Sequence, residues 1–169
     1  MENKFLKLLF LITFFALARV SCWASAEPYI MSLISSNYII YINKSDHKLS
    51  LVSYSDTLLV ADIACGKVLG NKRKKGDCRT PEGIFVVEEI LCSADWAHDF
   101  HDGRGTIKGA YGPYFVRLTT PWRGIGIHGT HDESSIGTDA TEGCIRLKNE
   151  VLQEFVRMIH IGDSVIIFP

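Results

Sequence analysis

The chain has 169 residues, 47% of them hydrophobic, and carries 18 basic and 19 acidic side chains for a formal net charge of −1. That length and apolar content are enough for one domain with a proper core and leave no comfortable room for a second. The balanced charge argues against a nucleic-acid partner.

Residues 1–26 read as a secretory signal peptide. Lys4 and Lys7 form a basic start, Leu8 to Ala18 is an apolar run too short for a comfortable membrane span, and Ala24-Ser25-Ala26 offers a small-residue cleavage site. An uncleaved N-terminal anchor is the alternative. A lipid linkage at Cys22 is disfavoured by Arg19, which stands where an aliphatic residue is expected. Losing Lys4, Lys7, Arg19 and Glu2 from 18 basic and 19 acidic side chains leaves 15 and 18, a net charge near −3. From the signal, export across a membrane is therefore expected. Cys65, Cys78, Cys92 and Cys144 remain, in a compartment that permits disulfides. If Cys144 stays a thiol, the other three allow three pairings with one left over, or none, and spacing does not choose.

Residues 27–37 form a short leader, and the domain is expected over 38–169. Tyr38 to Asn43, Leu49 to Tyr54 and Leu58 to Cys65 read as strands separated by polar turns, which implies an antiparallel β-rich core. In the loop from Gly70 to Gly83 the run Lys72-Arg73-Lys74-Lys75 reads as a solvated face. Ile84 to Ile90 is a further strand. Leu91 to Lys108 suits an irregular surface flap rather than a strand pair, and its His98 and His101 read as exposed loop residues rather than metal ligands. Gly109 to Thr119 leads into a strand, and Ile125 to His128 is a short strand ending at a histidine. Asn149 is placed to cap a helix with Val151, Leu152, Phe155, Val156 and Ile159 on one face. Ser164 to Phe168 closes a β-dominated domain.

The stretch Ile127 to Leu147 places Cys144 16 residues after His128. An arbitrary cysteine and histidine are ordinarily core residues. As a pair they read as nucleophile and base, because a thiol attacks carbonyls as thiolate and needs an imidazole in reach and backbone N–H groups for the oxyanion. Flanking glycines allow the close backbone approach.

The segments I-H-G-T at Ile127, S-I-G at Ser135, T-E-G-C-I-R-L at Thr141, T-P-E-G-I-F at Thr80 and G-P-Y-F-V-R-L at Gly112 resemble the L,D-transpeptidase (YkuD-type) catalytic domain, over about Tyr38 to Phe168. The resemblance implies a single β-sandwich domain with one or two short helices and no cofactor or metal. It implies acyl transfer on peptidoglycan stem peptides in the periplasm or cell wall of a bacterium, with Cys144 as nucleophile and His128 as base and later acid. Gly129 would orient His128 through its carbonyl, and the N–H groups of Gly143 and Cys144 would hold the oxyanion. Arg146, Thr141 and Tyr114 are the substrate-side candidates; for Arg146, two residues past the cysteine, bracing of the site competes with anchoring of a carboxylate. The acceptor would be an amine of a neighbouring stem peptide or of a wall-linked lipoprotein, or water in an L,D-carboxypeptidase, and the protein is expected to be a monomer. The common pattern has histidine where this chain has Glu142. A carboxylate pointing at the thiolate would oppose it, so Glu142 is expected to face solvent or a cation.

Two rivals come from other classes. One is a zinc site of His128, His131 and Cys144, which lacks further ligand spacing. The other is a wall-binding module without catalysis, which leaves the Cys144 and His128 pair unexplained. Other cysteine peptidase folds usually place the cysteine before the histidine, the reverse of this chain.

Overall fold

Strand alternation in the first hairpin fixes the core. β1 (Ile39–Asn43) runs antiparallel to β2 (Lys48–Ser53), with Ile40 opposite Leu51 and Ile42 opposite Leu49, all four fully buried. Since side chains alternate faces, that register commits one side of the pair to the interior. Asn43 Oδ1 accepts from the Asp46 amide at 3.0 Å to close the turn. β3 (Asp56–Asp62) adds antiparallel to β2. The structure is a computed structural model and describes residues 38–100 and 103–169. The expected signal peptide, leader and His101 lie outside these.

The remaining strands are β4 (Cys65–Gly66), β5 (Gly83–Cys92), β6 (Ala97–Asp99), β7 (Thr106–Lys108), β8 (Tyr114–Leu118), β9 (Gly126–His128), β10 (Asp139–Thr141), β11 (Ile145–Arg146) and β12 (Ser164–Phe168). Eight of them form one curled sheet in the order β11-β9-β8-β5-β12-β1-β2-β3. β5 joins its two halves. Gly83 to Val86 pair with β12, Val87 to Cys92 pair with β8, and the register shifts between Val87 and Glu89. A bulge of this kind bends and twists a strand, which lets one strand serve both halves.

The expectation of a mainly β domain holds, but the antiparallel core is corrected at two places. β12 lies parallel to β1, and β11 lies parallel to β9. Parallel neighbours need a crossover. β9 and β11 are joined by the segment holding a 3-10 turn at Glu133–Ser135 and β10, whereas β1 and β12 are the first and last described strands and the chain enters β12 from helix α1 (Asn149–Met158). Helix α1 turns Leu152 and Phe155 fully into the core, each worth about 2 kcal/mol of burial.

The flap is also corrected. β6 and β7 pair antiparallel as a small hairpin, with His98 opposite Ile107. Exposed, mixed residues hid the pairing because neither face of it is a clean apolar stripe. Asn149 is not the helix cap: Lys148 holds that position without a side-chain bond, and Asn149 is used elsewhere.

Candidate active site

β9 and β11 bring the two halves of the Ile127 to Leu147 stretch side by side. Ile145 pairs with Ile127 and Arg146 with His128, so Cys144 sits one residue before β11, beside the strand that ends in the histidine. The intervening residues loop out and return.

His128 is 2% exposed. Its Nδ1 lies 2.6 Å from the Gly129 carbonyl oxygen. A carbonyl only accepts, so Nδ1 carries the hydrogen and the neutral ring presents Nε2 as the basic nitrogen. The ring stacks on Phe115, its cross-strand neighbour, at 5.5 Å and 8°, and meets the edge of Tyr111 at 4.9 Å. Burial among these rings lowers its pKa from 6.5 to about 3, with the Gly129 bond opposing. The resting imidazole is therefore neutral.

Gly129 is held in turn. Asn149 Oδ1 accepts from the Thr130 amide at 2.9 Å and Asn149 Nδ2 donates to the Thr130 carbonyl at 2.9 Å. A Cβ on Gly129 would stand 2.1 Å from Asn149 Oδ1 and 2.9 Å from Gly112 Cα. The G-P of the Gly112 segment thus packs on the backbone that orients the histidine.

Cys144 is half-buried, and its thiol donates to the Gly124 carbonyl at 3.2 Å. Desolvation pushes the thiol up to about 11, against a backbone bond from Gly126 and the charges of Arg146 and Lys72. Thiol and imidazole are both uncharged at rest, so the thiolate has to be generated by proton transfer rather than stored as an ion pair.

The turn before Cys144 is tied by Thr141, whose buried hydroxyl donates to the Cys144 carbonyl at 2.6 Å and accepts from the Gly143 amide at 3.0 Å. Gly143 has φ +126°, and a Cβ there would lie 2.7 Å from the Arg79 carbonyl. The Gly143 N–H, expected from sequence to help hold the oxyanion, donates here to the Thr141 hydroxyl. Gly143 shapes the turn, and the Cys144 N–H is the remaining donor of the pair named from sequence.

Cys144 opens on a cleft of about 650 Å³, whose walls include Lys72, His98, Tyr111, Trp122 and Glu142. Lys72 corrects the reading of the basic run as solvated. It is 8% exposed, and its Nζ donates to Asp77 Oδ1 at 2.8 Å and lies 5.9 Å from the Trp122 ring. Asp77 also accepts from the amides of Arg73, Lys74 and Arg79, and these donors hold its carboxyl far below the usual range despite desolvation. Arg73, Lys74 and Lys75 remain exposed. In the Thr80 segment, Thr80 Oγ1 accepts from the Gly66 amide at 2.9 Å and Glu82 pairs with buried Lys44 at 2.5 Å, so that motif anchors the loop.

Arg146 is 5% exposed, donates to Ser135 Oγ at 3.3 Å and lies 5.1 Å from the Phe100 ring. Tyr114 is half-buried against the hydrophobic core. Among the described residues lining the cleft, neither these two nor Thr141 figures. For Tyr114 the strand alternation explains the difference: its neighbour Phe115 faces His128, and the aromatics lining the cleft are Tyr111 and Trp122. Glu142 is 42% exposed and turns toward His98, with Oε2 and Nε2 3.3 Å apart. Tyr111, Phe115, Trp122 and Lys72 were missed from sequence; only Phe115, one strand across from His128, carried a period-2 signal. Cys65, Cys78 and Cys92 are free thiols, with burial pushing Cys65 up to about 12.

Residues 37–167 match the family model of the L,D-transpeptidase catalytic domain, YkuD. The chain is 28% identical over 132 residues to the candidate L,D-transpeptidase YkuD of Bacillus licheniformis, covering 78% of this chain and 66% of that one. It is 29% identical over 133 residues to the candidate L,D-transpeptidase YqjB of Bacillus subtilis, covering 77% and 70%. In fold it is similar to L,D-transpeptidase 3 from Mycobacterium tuberculosis, with TM-score 0.60, 19% identity, and 79% and 61% of the two chains covered. It is likewise similar to the Enterococcus faecium L,D-transpeptidase, with TM-score 0.60, 21% identity, and 79% and 50% covered. The Mycobacterium tuberculosis protein is also seen with a faropenem-derived adduct. The chain spans about two thirds of the length of the curated relatives and about half to three fifths of these structures.

Proposed function

The chain belongs to the L,D-transpeptidase catalytic domain family, and from that premise we propose that it is a secreted acyltransferase of peptidoglycan stem peptides with Cys144 as nucleophile. The observation that carries the reading is the neutral His128, its Nδ1 fixed at 2.6 Å on Gly129 and its ring beside the strand that delivers Cys144 to the cleft.

In the proposed reaction His128 takes the thiol proton as Sγ attacks the carbonyl between an L-centre and a following D-residue. The C–S bond forms, the C–N bond breaks, and His128 returns the proton to the leaving amine. The Cys144 N–H stabilises the oxyanion. An amine then takes the acyl group from the thioester, with water as the alternative acceptor. Export by residues 1–26 would put the enzyme where this substrate lies.

Incubation with defined disaccharide tetrapeptides, followed by mass spectrometry of the products, tests the reading. Cross-linked dimers lost in Cys144→Ala support it, tripeptides alone indicate the carboxypeptidase, and unchanged substrate counts against both. A lysine-bearing lipoprotein peptide added to the same assay reports the protein acceptor.

A further inference from the structure

The cleft is lined by charges of both signs. Lys72, Lys75 and Arg123 stand along its walls, and among the described residues lining it Glu142 is the one carboxylate. Glu142 lies two residues before Cys144 on the tied turn, and its partner His98 comes from the β6–β7 hairpin. His98 is itself set between aromatic edges, 4.6 Å from Phe100 and 5.6 Å from Tyr111. Both members of the pair stay in contact with solvent, at 30% and 42% exposure. The nucleophile and its base do not use them: His128 is buried on Phe115 and Tyr111 and gets its orientation from Gly129.

A carboxylate at this position works against the first half of the reaction, since its charge is among the influences that raise the Cys144 thiol. Its charge suits the second half. An acceptor amine reaches the thioester as an ammonium ion and has to shed a proton before its nitrogen can attack. A lone imidazole that hands one nitrogen proton to the departing Sγ provides one proton site where the complete transfer needs two.

We propose that Glu142 and His98 form the acceptor-amine site of this enzyme, Glu142 receiving the ammonium ion and the pair taking its first proton to solvent. The inference rests on the reading of Cys144 as an acyl-enzyme nucleophile and deepens it by assigning the acceptor as a cationic amine. The ammonium gives one proton to the pair and becomes a neutral amine. The amine nitrogen attacks the thioester carbonyl, the N–C bond forms and the C–S bond breaks. The second nitrogen proton passes through His128 to the departing Sγ, restoring neutral thiol and imidazole. One proton is released to water for each amide made. Water, being uncharged, needs no such site.

Product partition tests this in the intact protein. Wild type, Glu142→Gln, Glu142→Asp and His98→Gln are given the same disaccharide tetrapeptide, and dimers, tripeptides and the Cys144 acyl-enzyme are quantified by mass spectrometry. The dimer-to-tripeptide ratio is expected to fall at least about tenfold in Glu142→Gln, less in His98→Gln, and to recover largely in Glu142→Asp, in line with removal of one proton-transfer group. The acyl-enzyme is expected to accumulate in Glu142→Gln. A structural role for Glu142 would lower dimers and tripeptides together, and that parallel loss, an unchanged ratio, or tripeptides alone from wild type overturns the inference. If wild type forms no acyl-enzyme at Cys144, the reading of the nucleophile fails as well, and the same spectra show which of the two has failed.

Discussion

Asn149 and Thr130 exchange two hydrogen bonds, side-chain Oδ1 to backbone N–H and Nδ2 to backbone carbonyl, both 2.9 Å long. The pair fastens the start of helix α1 to the residue after Gly129, and so to the carbonyl that holds the His128 ring. An asparagine at this point gives the helix no cap but fixes the histidine's tautomer at second hand.

Asn149→Ala leaves the buried Thr130 amide and carbonyl without these partners, at a cost of about 1–3 kcal/mol for each group left unsatisfied. Urea unfolding is expected to show a lower midpoint with an unchanged slope. Peptide acyl transfer is expected to fall further than the loss of folded protein explains, because the Gly129 carbonyl is released.

Gly143→Ala combines a φ of +126° with a Cβ 2.7 Å from the Arg79 carbonyl. The strain falls on the turn that Thr141 ties to Cys144, and backbone strain of this kind is worth about 1–3 kcal/mol. The melting temperature is expected to drop modestly and the rate of Cys144 acylation to drop by about tenfold or more. Full activity in a folded Gly143→Ala protein would contradict the geometry.

The resting thiol, raised to about 11, predicts how Cys144 responds to pH. Its alkylation by iodoacetamide is expected to be slow at pH 7 and to climb through pH 9 and above, with no plateau between pH 5 and 8. A plateau in that range would mean a stored thiolate–imidazolium pair.

His128 has an ordinary value of 6.5 and a folded value of about 3. Above pH 6.5 neither state binds the proton and the group is neutral in its effect; below it the unfolded chain binds the proton first. Stability is therefore expected to fall as pH drops from about 6.5 toward 3, by at most about 1.4 kcal/mol per pH unit from this group. Urea midpoints across that window check it, and His128→Asn is expected to flatten the dependence.

The β-rich core was legible because Ile40, Ile42, Leu49 and Leu51 alternate cleanly and have one way to be buried. The helix was legible from the spacing of Leu152 and Phe155. The parallel pairings were not, since direction depends on the crossover and not on the strand's own residues. The candidate pair of His128 and Cys144 could be named from the I-H-G-T and T-E-G-C segments, yet its surroundings could not. Lys72 looked like any loop lysine until Asp77 drew it inward, and the N–H of Gly143 looked available until the Thr141 hydroxyl claimed it. His98 sits 44 residues before Glu142, and nothing local to either announces the contact.

Intact-protein mass spectrometry after incubation with a carbapenem tests Cys144 as the nucleophile most directly. The expected result is one adduct on wild type, mapped to the peptide containing Cys144, absent from Cys144→Ala and formed about a hundredfold or more slowly in His128→Gln. An adduct that survives Cys144→Ala, or a wild-type protein that remains unmodified while folded, would contradict it.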